Sequence, residues 1–432
     1  MSMVLQAAEP RLEGTALWAS RLARWIPALM LAYGLLIWPV LYGRSPDTGP
    51  AGQVLQAESS PLSQIYFPAF FVVAVFVWIA TSYGRRSLVP SGTIVVLAAL
   101  MGLALASVAW SIAPDIALRR VILQVAIVAT LVLSVQAAGD PRGVVERIFW
   151  MLVLIVLLNL VVVAVTPAGP LGHEGVYPQK NGLGAASALA ILFSLFQLFA
   201  GRPVARIAAV GTIAVGMLLL VLSQSKTSLG LVFVVPLLAL GIAVVVRAAG
   251  ISAAIVFPVL VALVLGGYRL GVATYLWDFG TVMEAIFGDP TLTTRTDIWN
   301  FALAMIERRP LLGFGFESFW QAGPESPSLR EAPGFVARMP HAHNGYIDIA
   351  LQLGLVGLAL LIALVLGAFH ATSGTLRRSF GLGWLCLMLM LFAVFVNCLE
   401  SSWFRGFDFI SMAFVISIVL GVSLREETAW RR

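Results

Sequence analysis

Pro340-His341-Ala342-His343-Asn344-Gly345-Tyr346 closes a long polar segment and opens an apolar run that continues to Phe369. An apolar run of that length crosses a bilayer as an α-helix, because only a helix satisfies its own backbone groups in lipid. The stretch therefore reads as the junction between an aqueous loop and a transmembrane helix. Two of the four histidines of the chain sit in it, two positions apart. Imidazole is the side chain poised to move protons near neutral pH. A plainer role also fits these residues, with Asn344 as the helix N-cap and the histidines as interfacial anchors.

Working outward, the same kind of run recurs along the whole chain. Of 432 residues, 60% are hydrophobic and 11% charged, and the mean hydropathy is +0.95. A soluble domain carries roughly 25% charged residues. The fold class expected is an all-α polytopic membrane protein with about 12 transmembrane helices. The spans are expected near 25–43, 64–83, 91–110, 120–138, 147–166, 182–200, 204–222, 228–246, 251–270, 346–369, 380–399 and 406–424. This divides the chain into helices 1–9 (1–270), one long extracytoplasmic loop (271–345) and helices 10–12 (346–432). The net charge of +6 is ordinary for the loops of such a protein and gives no reason to expect nucleic acid. Cys386 and Cys398, twelve positions apart in one apolar run, read as small core residues without a disulfide or metal role. Glu9 and Glu13 precede the first apolar run, and no removable signal peptide is expected. Residues 14–26 carry Trp18, Leu22 and Trp25 with Arg21 and Arg24, a pattern suited to lying on the membrane surface.

Charge orients the stack. With both termini cytoplasmic, the inside segments hold fifteen arginines, from Arg11 to Arg432, against six cations in the short outside loops. Those six are Arg44, Arg119, Arg120, Lys180, Lys226 and Arg405. Snorkelling to headgroups explains Arg44 and Arg119. Lys180 and Lys226 are the only lysines, and each sits in a polar run, Tyr177-Pro-Gln-Lys-Asn-Gly and Ser223-Gln-Ser-Lys-Thr-Ser. A functional role is expected for both. In the long loop, Thr296 and Asp297 suit a helix N-cap, Ile298, Phe301, Ala302, Met305 and Ile306 form one face, and Pro310 stops the helix. Residues 321–340, rich in Pro, Gly and Ser, are expected to be mobile.

His341-Ala-His343-Asn344-Gly-Tyr346, followed by Gln352-Leu-Gly354-Leu-Val-Gly357, resembles the signature of the O-antigen ligase and polysaccharide polymerase superfamily. Further pieces resemble its elements in order: Lys180-Asn181-Gly-Leu-Gly184, Ser225-Lys226-Thr-Ser, Arg295-Thr-Asp-Ile-Trp299 and Gly313-Phe-Gly315. Together they cover roughly residues 175–360. The family often has Arg where this chain has Lys226, which keeps a cation and loses its planar fork. The loop is closest in wording to the succinoglycan-type exopolysaccharide polymerases.

The resemblance implies a membrane glycosyltransferase of the bacterial inner membrane, active on the periplasmic face. Its donor would be a polyprenyl-pyrophosphate-linked oligosaccharide and its acceptor another glycan or lipid A-core. Membrane lipids and other polysaccharide-export proteins are the further partners expected. An exopolysaccharide repeat-unit polymerase is the first reading, and an O-antigen ligase attaching polymer to lipid A-core is the alternative. A flippase for lipid-linked sugars competes from another class, with Asn159 and Asn397 as its polar mid-span candidates. A scaffold protein is the third reading.

Such transfer needs a base for the acceptor hydroxyl and cations for the leaving pyrophosphate. His343 is the expected catalytic base. Lys180, Lys226 and Arg295 are the expected donor-pyrophosphate ligands. His341, Asn344, Asn181, Glu317 and Asp348 are expected to support or position them, although Glu317 and Asp348 read more readily as ordinary solvated or capping acids. The outer carboxylates Asp278, Glu284, Asp289, Asp297, Glu307 and Glu317 are scattered, and no two aspartates are two apart. No metal and no cofactor are therefore expected.

Overall fold

The structure is a computed structural model, which describes residues 9–42, 60–82, 91–274, 278, 280–281, 284, 295–323 and 325–426. The side chains of Glu9, Arg11, Glu13 and Arg425, and all of Arg44, Arg85, Arg86, Asp289, Arg431 and Arg432, lie outside the described residues. The apolar runs are helices, and no strand occurs among the described residues. In chain order they are α1 (Gly14–Tyr42), α2 (Pro61–Ser82), α3 (Gly92–Ala106), α4 (Pro114–Ala138), α5 (Pro141–Val165), α6 (Lys180–Ala200) and α7 (Pro203–Ser223). There follow α8 (Lys226–Ala249), α9 (Ala253–Ala273), α10 (Arg295–Arg308), α11 (Gly345–Arg378), α12 (Phe380–Val396) and α13 (Phe409–Glu426). Among the described residues, α1 to α9 and α11 are long and apolar enough to cross a membrane, while α12 and α13 are shorter apolar helices. The protein is an all-α polytopic membrane protein, and the twelve apolar helices among the described residues follow the expected order, with α10 in the segment between the ninth and tenth.

The helices form two compact units. The first comprises Met1–Ile94, Ile122–Val232 and Phe404–Arg432; the second comprises Val95–Val121 and Phe233–Trp403. In the first unit α6 is almost wholly enclosed, and its run Gly184-Ala-Ala-Ser-Ala188 presents little more than backbone to its neighbours. Small residues let helices approach closely, so van der Waals packing replaces the hydrophobic force that lipid cannot supply. Tyr33 packs among the rings of Tyr66, Phe67 and Phe407, with centroids 4.7–5.1 Å away. Asn159 is a buried bracket. Its Nδ2 donates to the Ile155 carbonyl in its own helix, and its Oδ1 accepts the Val176 N–H at 3.0 Å, which ties down the loop before α6.

In the second unit α10 forms as expected over Arg295–Arg308, but Thr296 and Asp297 lie inside its first turn rather than capping it. Ile298, Phe301, Ala302 and Met305 bury their side chains against Phe314, Phe319, Trp320, Val336 and Leu351, with Ile306 packed at the edge. Each large side chain so buried contributes about 1.5–3 kcal/mol relative to exposure. The described residues of 321–340 depart from expectation, since they are folded onto this core. Ser326 and Ser328 are buried and both donate to the Phe319 carbonyl, and Val336 is buried in the cluster. Two hydroxyl-to-backbone bonds of this kind fix a segment that composition alone marks as loose. Cys386 is buried as expected, whereas Cys398 is exposed; both are free thiols.

The tenth span is not one continuous helix. Gly354 has φ +66° and ψ −169°, which breaks α11 into two pieces. Residues Pro310 to Gly315 cross the break and take up the backbone groups it frees. The Phe314 and Gly315 N–H groups donate to the Leu351 and Gln352 carbonyls at 2.8 and 2.9 Å. On the other side, the Leu355 and Val356 N–H groups donate to the Pro310 and Leu311 carbonyls at 2.8 and 3.3 Å. A broken helix survives at membrane depth only when protein supplies these partners. The crossing is close: a Cβ on Gly354 would collide with the Leu311 backbone, and one on Gly313 with the Leu351 and Gln352 carbonyls. Gly313-Phe-Gly315 and Gln352-Leu-Gly354, far apart in sequence, are thus the two sides of one device.

Candidate active site

The His341–Asn344 turn leads into α11 and is fixed atom by atom. The Asn344 side chain caps the helix, accepting from the Tyr346 and Ile347 N–H groups at 3.0 and 3.2 Å. His343 sits in the left-handed region at φ +51°. A residue with a side chain pays about 1–2 kcal/mol there, so the surroundings must over-determine it. They do. Both carboxylate oxygens of buried Asp348 accept the Ala342 N–H at 3.1 Å, and Oδ1 also accepts from Trp320 Nε1 at 2.7 Å. Trp299 Nε1 donates to the Ala342 carbonyl at 2.9 Å. The His343 N–H donates to His341 Nδ1 at 3.1 Å, and the Asn344 N–H to Ser401 Oγ at 3.1 Å. The Gly345 N–H is shared by the Asn397 and Glu400 carbonyls at 2.9 and 3.0 Å. Every main-chain donor from 342 to 345 therefore has a partner, the accounting a half-buried turn requires.

The side chains then converge. His343 Nδ1 lies 3.0 Å from Glu400 Oε2, and Arg295 Nη2 lies 3.2 Å from Glu400 Oε1. One carboxylate bridges the imidazole and the guanidinium. All three side chains are about one-fifth to one-quarter exposed, enough for a reactant to reach and enough shelter to strengthen charge interactions. The His341 and His343 ring centroids are 4.1 Å apart. The spacing Arg295-x-x-x-Trp299 now has a reason: residues four apart share one helix face, so a single face of α10 brings a cation to Glu400 and a donor to Ala342.

Glu400 escaped the sequence reading. Its signal is the polar interruption Asn397-Cys-Leu-Glu400-Ser-Ser between α12 and α13, where a lone acid stands among apolar runs. Asn397 is a second buried bracket, donating to the Ala393 carbonyl and accepting the Ser402 and Trp403 N–H groups, which folds the turn that carries Glu400. Glu317 and Asp348 touch the site differently from a His343 partner. Asp348 shapes the turn, and Glu317 pairs with Gln352 at the helix break, its Oε1 accepting from Nε2 at 3.2 Å. Arg120 Nη1 donates to the Glu317 carbonyl, which gives that arginine a structural task.

In the first unit, Lys180, Asn181 and Lys226 gather at the turn between α7 and α8. Lys180 Nζ donates to the Gln224 carbonyl at 3.4 Å, and Ser225 Oγ donates to Asn181 Oδ1 at 3.4 Å. Gly184 allows this approach, since a Cβ there would sit 2.5 Å from Ser225 Cβ. Lys226 opens α8 and is exposed. The Lys-Asn and Ser-Lys elements are therefore neighbours in space, while Arg295 belongs to the second unit beside Glu400.

His341, His343 and Glu400 also bring three ligand-type atoms within 4.8 Å of one another. His341 Nδ1 accepts the His343 N–H, His343 Nδ1 is taken by Glu400, and a guanidinium already lies on the other carboxylate oxygen.

Residues 210–362 match the family described as O-antigen ligase, a stretch that holds Lys226, Arg295, both site histidines and Gly354 but neither Lys180 nor Glu400. The chain is 28% identical over 282 residues to the "Exopolysaccharide production protein ExoQ" of Rhizobium meliloti (strain 1021), covering 62% of each chain. It is 35% identical over 78 residues to the "Putative polysaccharide ligase RP358" of Rickettsia prowazekii (strain Madrid E), covering 18% of this chain and 19% of that one. The match thus spans less than two thirds of the length of either relative.

Proposed function

We propose that this chain belongs to the O-antigen ligase superfamily and polymerises exopolysaccharide repeat units from a polyprenyl-pyrophosphate donor on the periplasmic face of the bacterial inner membrane. The observation that carries the reading is the His343–Glu400–Arg295 array, a base and a cation held on one carboxylate at the mouth of a membrane helix. With Nδ1 turned to Glu400, Nε2 of His343 is the atom left to take the acceptor hydroxyl's proton. The acceptor oxygen then bonds to the anomeric carbon as the bond from that carbon to the pyrophosphate oxygen breaks. The polyprenyl pyrophosphate departs with the bonding pair, and cations are needed where that negative charge develops. Arg295 is the proposed cation of the second unit; Lys180 and Lys226, with Asn181, are those of the first. Asn344, His341, Asp348 and Glu317 hold the turn and the helix break beneath it. Asn159 and Asn397 serve as loop brackets, which leaves the flippase reading without its mid-span residues. A ligase acting on lipid A-core is the second reading, favoured by the name of the Rickettsia relative.

The test is transfer by purified full-length protein given a synthetic polyprenyl-pyrophosphate oligosaccharide, with and without EDTA. A ladder of longer lipid-linked glycans is expected, unchanged by chelation. Product formed only on added lipid A-core would establish the ligase reading, and loss on chelation restored by magnesium would refute metal independence. Absence of product with either acceptor would end the transferase reading.

Lys226 gives a sharper test of the cation role. If it neutralises pyrophosphate, charge is essential and shape secondary, so Lys226→Arg should keep most of the activity. Lys226→Gln keeps length and loses charge, and about 100-fold of the rate should go with it. An interfacial anchor would tolerate Gln, so equal turnover by the Gln variant would remove Lys226 from the donor site.

A further inference from the structure

We infer that Glu400 is the positioning residue that fixes His343 in its Nδ1–H tautomer, and that Arg295 on its other oxygen makes a carboxylate obligatory there. This deepens the reading of His343 as the base. Among the described residues, the charged or titratable groups placed on this pair are Arg295 from α10 and His341 from the same turn. A carboxylate only accepts hydrogen bonds, so the nitrogen facing it must carry the proton. That leaves the Nε2 lone pair for the acceptor, and the carboxylate offsets the imidazolium that forms, the logic by which a buried acid serves a catalytic histidine elsewhere. His341 cannot replace it, because its Nδ1 is committed to the His343 N–H. Glu400 also acts through its main chain, whose carbonyl accepts the Gly345 N–H. Side chain and backbone of one residue thus set both the ring and the turn that presents it.

The arginine sharpens the consequence of Glu400→Gln. Guanidinium only donates, so it would claim the amide oxygen of Gln and turn the NH2 toward His343 Nδ1. The ring would then be forced into the Nε2–H tautomer, with no lone pair at the working nitrogen. Glu400→Asp keeps an acceptor on both sides.

The experiment is nitrogen NMR of the full chain labelled with 15N-histidine in detergent, with His343→Ala used to assign the signal. Wild-type His343 is expected to carry a proton on Nδ1, Glu400→Gln to leave Nδ1 bare with the proton on Nε2, and Glu400→Asp to return it to Nδ1. In transfer assays Glu400→Gln should lower kcat by about 100-fold or more with donor KM little changed, and Asp should restore part of it. A merely structural Glu400 would lower melting temperature without inverting the tautomer. A wild-type ring protonated on Nε2 alone, or a Gln variant that keeps Nδ1–H, would overturn the inference. If the tautomers behave as stated while the wild type transfers nothing, the positioning holds and the transferase reading falls.

Discussion

His343→Ala protein is expected to insert, fold and bind donor, and to lose transfer by about 10²–10⁴-fold, the usual contribution of a positioned base. Folding and chemistry can be separated here because of the backbone. His343 holds φ +51°, and alanine keeps the steric cost of that conformation. Glycine does not. His343→Gly should therefore melt at least as high as His343→Ala and be equally inactive. Transfer is measured per folded protein, taken from the monodisperse peak in detergent. Retained turnover by either variant would end the assignment of His343 as base. His341→Ala should cost less, since that ring holds the His343 N–H and its removal leaves the Glu400–His343 contact in place.

Gly354→Ala is expected to be the most damaging small substitution in the described chain outside the reacting groups. The alanine would adopt φ +66° at a cost of about 1–2 kcal/mol. Its Cβ would also press on the Leu311 carbonyl and the Leu312 nitrogen, which are backbone and cannot rotate away. Overpacking of this kind adds about 1–3 kcal/mol. The sum is a large part of the 5–15 kcal/mol that holds a typical protein folded. A fall of many degrees in melting temperature is expected, with loss of transfer because α11 carries the histidine turn. Gly230→Ala is the control. Its Cβ would meet open space on a helix, so it should be neutral or slightly stabilising. Equal melting of the two variants would mean that the break at Gly354 is not required.

Much of this could be read from the residues alone, and the reason is that lipid leaves few choices. Apolar runs must become helices because nothing in hydrocarbon can bond an open backbone. Their order along the chain followed from that rule. The apolar face of α10 and the Asn344 cap followed from periodicity and local hydrogen bonding, both properties of a few consecutive residues. His343 drew attention because a rare proton carrier stands at a polar-to-apolar boundary.

The rest depended on contacts between residues distant in sequence. The break in α11 was invisible because glycine is common in membrane helices. Only the crossing of Leu311 and Leu312 decides that Gly354, and not Gly357, turns left-handed. The fold of 321–340 was misread for a related reason: its serines find the Phe319 carbonyl only after the chain returns on itself. Glu400 lies 57 positions from His343 and 105 from Arg295. No local pattern marks an acid as the partner of one histidine among several candidate acids, since a hydrogen bond at 3.0 Å is chosen by the folded backbone. The sequence by itself determined the solvent each segment would meet. The tertiary structure alone decided which charges would face each other there.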